Sequence, residues 1–470
     1  MKSLFRKKDI TGLLAQKTPL NRTLKTWDLT FLGIGAIIGT GIFVLTGKGA
    51  LVAGPGLALS FLLAAICCGF AGLCYAEFAS MAPISGSAYT YSYIAFGEIT
   101  AFIIGWDLIL EYALGAATVS VGWSGYLVNL LDNFGLHIPT ALTAAAGTTP
   151  GVHTIFNLPA FLIIILITWI LSMGINQTKR LNDFMVIVKL AVVILFIVCT
   201  VWFIKTANWH PFVPYGLYSV HDGNAAGIIP AASIVFFSFI GFDAVSSSAE
   251  ETINPSKTLP RGILLSLFIS TVLYIMMTLI MTGVVKYTVY SKYLNAPILA
   301  VLVKTGQGWL SMIVSLGAIL GMTTVLLVML YGQSRISYSM ARDGLFPKVF
   351  SKVDAKRKTP FVVTWFFGIV TALAGGFINL NILAELVNIG TLSAFILVSA
   401  GILVMRYTQP KAKRGFKTPL VPFTPIMAIL FCLVLIAGLN WETWLRFLVW
   451  LILGMLFYFA YGRKHSVLNK

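Results

Sequence analysis

Two interruptions in a series of apolar segments constrain this chain more than any other feature of its sequence. Twelve long apolar segments follow one another, and glycine-containing polar patches break the first at residues 39–41 and the sixth at residues 238–243. In hydrocarbon every backbone N–H and C=O needs a partner, so non-helical backbone at membrane depth is tolerated only where it is buried in protein or lines a cavity. The pattern therefore predicts an all-α integral membrane protein that builds a binding site from two discontinuous helices.

Composition supports the membrane location. Apolar residues make up 58% of the 470 residues and charged residues only 10%, whereas soluble domains contain about 25% charged residues. Because the connecting loops are short, we predict a single transmembrane domain over 1–470 with twelve membrane-spanning helices. The spans are predicted at 27–52, 57–80, 94–128, 157–175, 183–205, 226–250, 262–286, 308–343, 360–378, 383–406, 421–439 and 442–462.

The spacing of the two interruptions predicts an inverted repeat. The interrupted spans are five helices apart, and this odd offset makes the second unit enter the membrane from the opposite side. The alternative is that the glycines only allow close helix packing, a role that suits Gly35 and Gly39, which lie four residues apart. The predicted parts are a cytoplasmic tail (1–26), a first repeat (27–205), a second repeat (226–406), two further spans (421–462) and a second cytoplasmic tail (463–470).

Membrane topology accounts for the net charge of +17 without a nucleic-acid partner. Most Lys and Arg fall in the two tails or in alternate loops, such as 335–358 and 406–417, which the positive-inside rule places in the cytoplasm. We therefore expect a multi-pass protein of the plasma membrane with both termini in the cytoplasm. The basic residues predicted on the outer side are Lys48, Lys205, Lys286, Lys292, Lys304 and Arg446.

The backbone chemistry of a broken helix suits a zwitterion. Its second half offers free N–H groups and its first half free C=O groups, and each end carries about half an elementary charge. We expect the amides of Thr40 and Gly41, with the Thr40 hydroxyl, to receive a carboxylate. The carbonyls of Ile37, Phe237 and Ile240 would receive an ammonium group, so that together these groups bind the backbone of an L-amino acid.

Several motifs, in the same order along the chain, resemble those of the amino acid, polyamine and organocation permeases. They are GIGAIIGTGIF at 33–43, FFSFIGFDA at 236–244 and EETINP at 250–255, while GWDLILEY at 105–112 and SMARDG at 339–344 look like the cationic amino acid transporter branch, in its bacterial type. The resemblance covers essentially the whole chain. It implies the LeuT fold, a 5+5 inverted repeat with spans 11 and 12 outside it. It also implies that the substrate backbone is held by Ile37, Thr40, Gly41, Phe237 and Ile240.

Lys189 lies in the middle of the fifth span, where its ammonium group has no room to reach the membrane surface. Ionisable residues at this depth are costly and usually functional. In related proton-driven permeases, a lysine at this place stands where sodium-coupled relatives bind a sodium ion. We therefore expect proton symport coupled through Lys189, which also argues against sodium coupling. A purely structural tether is the alternative.

Two acidic residues are expected to face the cavity, Glu111 on the third span and Asp243 beside the second interruption. The resemblance places Glu111 near the substrate ammonium, directly or through water, and Asp243 near the unwound backbone or the side-chain pocket. The alternative for both is that they cap helix fragments. Glu77, Asp107 and Glu385 are expected to be structural partners of backbone groups or of basic neighbours.

The sequence of the eighth span predicts where the side chain of the substrate binds. Four of its residues fall near one helical face, and they are Gly321, Val325, Val328 and Met329. Large apolar residues there leave little for a guanidinium group to bind. We therefore expect Met329 to line the pocket and the substrates to be neutral aliphatic amino acids, branched-chain or alanine-like. Uptake of cationic amino acids, exchange, and a sensor that binds without transport are the alternatives.

No enzyme chemistry is expected. The five histidines lie in outward loops and the C-terminal tail without metal-ligand spacing, and the five cysteines lie in apolar segments. The glycines at 33–39 are spaced one residue too widely for a dinucleotide fingerprint. The expected partners are an L-amino acid, protons and membrane lipid, with no cofactor or metal. The oligomeric state and a small accessory subunit are left open.

Overall fold

A computed structural model of the chain describes residues 6–7, 23–82, 87–148, 153–173, 179–221, 223–294, 296–354, 357 and 359–469. These residues are mostly helical, with one short two-stranded antiparallel sheet. Among them, eight helical stretches are long and apolar enough to cross a membrane, and four shorter apolar helices accompany these. The all-α architecture agrees with the sequence analysis, while the count of twelve crossings stays a prediction.

In the N-terminal half, each of the five predicted spans contains a helix. A further short helix, α4, lies between the second and third spans. The helices are α1 (Thr26–Ile37), α2 (Thr46–Ala53), α3 (Leu57–Met81), α4 (Ser87–Ala95), α5 (Glu98–Asn133), α6 (Leu158–Ser172) and α7 (Lys179–Thr200).

The C-terminal half begins with the short hairpin of β1 (Ser219–His221) and β2 (Asn224–Ala226). Each of the seven remaining predicted spans also contains a helix. The helices are α8 (Ile228–Val235), α9 (Ala244–Ser247), α10 (Pro255–Val284), α11 (Pro297–Thr305), α12 (Gly308–Arg342), α13 (Phe361–Phe377), α14 (Leu380–Thr408), α15 (Phe423–Ala437), α16 (Trp441–Phe457) and α17 (Arg463–His465).

Both interruptions fall in the predicted patches. After α1 ends at Ile37, a short bend and a π-helical turn (Gly41–Leu45) lead into α2. α8 passes into a 3-10 turn (Phe236–Phe239), and residues 240–243 are not helical before α9 begins. Gly241 has a φ of +111°, a backbone conformation that residues with a Cβ rarely adopt.

The two interruptions cross each other in close contact. A Cβ added to Gly41 would clash with the backbone and side chain of Ser238, and one added to Gly241 would lie 2.9 Å from the Cβ of Ala36. The contact is reciprocal, because the glycine of each interruption packs against the other interrupted helix. Glycine at both positions therefore allows the two unwound segments to meet.

Long helices surround this crossing. α12 packs along α5, α10 packs along α1 and α3, and α14 packs along α5 and α15. Gly332 of α12 lies against the ring of Tyr112 on α5, and Gly33 of α1 lies against Ser266 on α10. Small residues at such contacts let helices approach closely, as is common within membranes.

Both described ends of the chain lie at the same end of the helical bundle. Arg6 donates a hydrogen bond to the Leu468 carbonyl, and the Ser466 hydroxyl donates to the buried Glu98 carboxylate at 2.6 Å. This placement agrees with a topology in which an even number of crossings leaves both termini on one side. The assignment of that side to the cytoplasm stays a prediction.

A buried carboxylate joins three parts of the fold near this end. Glu77 of α3 accepts hydrogen bonds from Arg406 of α14 at 2.8 and 2.9 Å, from Arg414 at 2.8 Å and from the Thr418 amide at 2.7 Å. Glu385 likewise pairs with a lysine of α2. The structural roles expected for Glu77 and Glu385 are therefore confirmed by their contacts.

We predict that Glu77→Gln strongly destabilises the protein. The change leaves two arginines facing a neutral group, and breaking a buried ion pair costs about 3–5 kcal/mol; the lower end applies because Arg406 keeps some contact with solvent. Thermal unfolding of the detergent-solubilised protein measures the effect. Glu442→Gln is the matched control, because its pair with Arg446 is exposed and worth about 0–1 kcal/mol. Equal shifts for the two variants would contradict the prediction.

Candidate functional site

Lys189 on α7 holds the first interruption in place. Its Nζ donates to the carbonyls of Gly35 at 2.6 Å and Ile38 at 2.9 Å, and lies 3.4 Å from the Thr324 hydroxyl of α12. The side chain is fully buried, and no carboxylate pairs with it in the described part of the chain. An ammonium group has three donors, so the frayed end of α1 and Thr324 occupy all of them.

Tyrosine hydroxyls supply further partners for the unwound backbone. The Tyr274 hydroxyl, on α10, lies 3.0 Å from the Ile37 carbonyl and 2.7 Å from the Ser238 carbonyl, and so bridges both interruptions. Tyr126 of α5 donates to the Phe43 carbonyl at 2.7 Å. Sequence reasoning missed both tyrosines. A usable signal existed, because a tyrosine inside an apolar span needs a partner for its hydroxyl.

The residues predicted to hold the substrate backbone lie together at the crossing of the interruptions. All are buried, and they are Ile37, Thr40, Gly41, Phe237 and Ile240. The Thr40 hydroxyl makes only weak contacts, 3.3 Å to the Met322 sulfur, which is a poor acceptor, and 3.5 Å to the Val119 carbonyl. The Phe237 carbonyl accepts a hydrogen bond from the Ile240 amide at 3.2 Å and keeps a second lone pair. Their role in substrate binding stays a prediction.

The second interruption carries polar atoms that lack protein partners. Ser238 Oγ and Asp243 Oδ1 are buried and have no hydrogen-bond partner among the described residues. The other Asp243 oxygen accepts from the Tyr112 hydroxyl at 3.3 Å. An unsatisfied buried polar group costs about 1–3 kcal/mol, and such groups usually have a water, an ion or a function to explain them. These atoms are therefore available to bond a water molecule or a polar ligand.

Acidic residues of α5 lie beside this interruption. Glu111 is buried and close enough to Asp243 and Asp107 for their charges to interact. Asp107 is also buried, and its Oδ1 has no partner within the described residues, so the structural pairing expected for it is not seen. Two carboxyl groups, those of Asp243 and Glu111, thus interact beside the second interruption, and Asp107 lies one turn before Glu111 on α5.

α12 supplies an apolar wall to the same region. A Cβ added to Gly39 would lie 2.9 Å from Val325 Cγ2, and one added to Gly115 would lie 2.8 Å from the Met329 sulfur. Val328 is only half-buried and contributes less to this wall than its spacing predicted. Met329 is therefore packed against α5 at Gly115, one turn after Glu111.

Known proteins resemble this chain over its whole length. The sequence profile of the amino acid permease family matches residues 24–458, which include both interruptions and Lys189. The chain is 55% identical to the branched-chain amino acid permease BcaP of Bacillus subtilis, over 100% of this chain and 99% of the relative. It is 48% identical to the methylthioribose transporter of the same organism, over 100% of both chains. It is 34% identical to the chloroplastic cationic amino acid transporter 9 of Arabidopsis thaliana, over 95% of this chain and 89% of the relative.

These relatives are named as permeases or transporters, which agrees with the expectation that the chain is not an enzyme. They include members of the cationic amino acid transporter branch, as the motifs indicated. Helices able to cross a membrane occur throughout the matched region. The chain is a multi-pass membrane protein and belongs to the amino acid permease family.

Proposed function

We propose that the chain is a secondary active transporter that imports a neutral aliphatic L-amino acid across the plasma membrane by proton symport. The observation that carries the proposal is the meeting of two interrupted helices around buried polar atoms without partners in the described residues. A site between discontinuous helices, reached in turn from each side, is typical of alternating-access transporters. The 55% identity to a branched-chain amino acid permease supports the choice of substrate class.

The two interruptions supply opposite polarities for the two ends of a zwitterion. The turn at Gly41–Leu45 begins a helical segment, so its free amides and the Thr40 hydroxyl favour a carboxylate. The second interruption combines backbone carbonyls with Asp243 and Glu111, which favour an ammonium group. An amino acid bound between them would contact both interrupted helices at once.

The apolar wall favours an aliphatic side chain. Val325 and Met329 offer no polar atom that could pair with a guanidinium group or an amine. A second candidate is uptake of cationic amino acids. More buried carboxyl groups are present than one substrate ammonium requires, and a further carboxyl group could pair with a cationic side chain. Methylthioribose, the substrate in the name of one relative, carries neither of the charges that the two interruptions complement.

Lys189 provides a route for proton coupling. Its ammonium is compensated by α1 carbonyls and by Thr324 of α12. A conformation that moves α1 away from α7 would leave a buried charge uncompensated, and release of its proton would relieve that cost. Proton release on one side of the membrane and uptake on the other would then accompany each transport cycle.

We predict that Thr40→Val weakens substrate binding about ten- to hundredfold, because it removes a hydrogen bond to a charged carboxylate worth about 1.5–3 kcal/mol. The thermal unfolding temperature should hardly change, since the hydroxyl has only a weak sulfur acceptor and a carbonyl 3.5 Å away within the protein. Radioligand binding to purified protein measures the affinity. Thr46→Val is the control, because its hydroxyl bonds the Ile42 carbonyl of the same segment. Unchanged affinity in Thr40→Val would remove the hydroxyl from the site.

Leucine uptake into liposomes tests the proposed function, with competition by unlabelled compounds. Valine, isoleucine and alanine should compete in the wild type, whereas lysine, arginine and methylthioribose should not. Met329→Ser should admit lysine or arginine as competitors, because it opens volume beside Glu111. Met312→Ser, an exposed methionine of the same helix, is the control. Binding without uptake would support a sensor, and uptake that needs internal amino acid would support an exchanger.

We predict that Lys189→Met still exchanges labelled for unlabelled substrate but no longer accumulates it in response to an acidic exterior. The methionine keeps the length of the side chain and removes the titratable group. Sodium gradients should have no effect on either protein. Thr324→Val, which removes only one of the three contacts of the ammonium, should retain coupling. Wild-type accumulation by Lys189→Met would exclude this residue from the coupling mechanism.

A further inference from the structure

The basic residues of the predicted outer side differ in whether they have acidic partners. Lys48 pairs with Glu385 at 3.5 Å, and Arg446 pairs with Glu442 at 2.6 Å. The remaining lysines of this side have no ion-pair partner within the described ranges, and they are Lys205, Lys286, Lys292 and Lys304.

Three of the unpaired lysines line one cleft. Lys205, Lys286 and Lys304 surround a volume of about 380 Å³ between the residues that follow α7, the end of α10 and α11. This size falls within the range of small-ligand pockets, roughly 300–1,000 Å³. The apolar lining residues include Val284, Val289 and Val303.

The walls of the cleft are joined to each other by hydrogen bonds. The Lys205 amide and the Asn208 side chain both donate to the Gly283 carbonyl, at 3.0 and 2.7 Å. The segment after α7 is thereby fixed against the end of α10, close to Lys286. The lysines therefore line a preformed space, and their three positive charges favour an anion there.

Aromatic residues place the cleft at the membrane surface. Trp202, three residues before Lys205, is 84% exposed, and Trp309, five residues after Lys304, is 60% exposed. Exposed tryptophans on membrane proteins concentrate at the level of the lipid headgroups. Val303 is also exposed, at 68%, and offers apolar surface beside Lys304.

We propose that this cleft binds the phosphate group of an anionic phospholipid from the outer leaflet. Lysine ammonium groups are suited to phosphate as point charges with three donors each. The exposed valine and tryptophans would contact the glycerol and acyl chains. This combination favours a lipid phosphodiester over a free phosphate ion, which would use the lysines alone.

Native mass spectrometry of the detergent-solubilised full-length protein tests the proposal, with phosphatidylglycerol and phosphatidylcholine as probes. The wild type should bind phosphatidylglycerol more tightly than phosphatidylcholine. The triple variant Lys205→Gln, Lys286→Gln, Lys304→Gln should lose about fivefold in affinity per lysine and roughly a hundredfold in total for the anionic lipid. Its affinity for phosphatidylcholine should fall less, because the choline cation offsets the charge of the phosphate that the lysines would bind.

A second triple variant, Lys348→Gln, Lys352→Gln and Lys411→Gln, is the matched control, because it removes the same charge from exposed lysines of the opposite side. A loss of phosphatidylglycerol affinity no larger than that of this control would overturn the proposal. Displacement of the lipid by equimolar inorganic phosphate would overturn it in favour of a soluble anion. Should the outer triple variant fail to fold, the single variants must each still lose affinity for the proposal to stand.

Discussion

Backbone groups that leave a helix inside an apolar bundle must find other partners, and this requirement organises the centre of the protein. The carbonyls freed from α1 accept from the Lys189 ammonium and the Tyr274 hydroxyl, each of which comes from a different uninterrupted helix. The same hydroxyl lies 2.7 Å from the Ser238 carbonyl of the other interruption, so its single proton is shared between the two carbonyls. The unwound segments are thus held by long side chains from α7 and α10, and glycines at the crossing leave the room for them to meet.

These partners also divide the site by charge. The first interruption has a cation, Lys189, behind it, and the second has the carboxyl groups of Asp243 and Glu111 beside it. The Lys189 ammonium offsets the negative end of α1, so the free amides that follow dominate the polarity of the first interruption, while the carboxyl groups add to the negative polarity of the second. In the proposed function, a zwitterion would lie along the line between the two interruptions. An uncharged solute would gain little from these opposite polarities.

Much of this arrangement could be predicted from the sequence. The glycine patches located both interruptions, because unwound backbone in a membrane needs special residues, and the depth of Lys189 in its span indicated that it needs partners inside the protein. Contacts between distant helices could not be predicted in the same way. Helices that are apolar all round give little information about which face meets which neighbour. The bridging position of Tyr274, and the lack of a partner for Asp107 Oδ1 among the described residues, were therefore seen only in the structure. The partial exposure of Val328 could not be predicted for the same reason.

The cluster around Glu77 restricts how the protein can change shape. It fastens α3, from the first half of the chain, to α14 and the loop after it, and separating them would cost about 3–5 kcal/mol. Conformations that interconvert during function usually differ by only a few kcal/mol. These parts are therefore expected to move as one rigid body. Hinges are then expected at the bends and turns of the two interruptions, residues 38–39 and 240–243, where the regular α-helical pattern is broken.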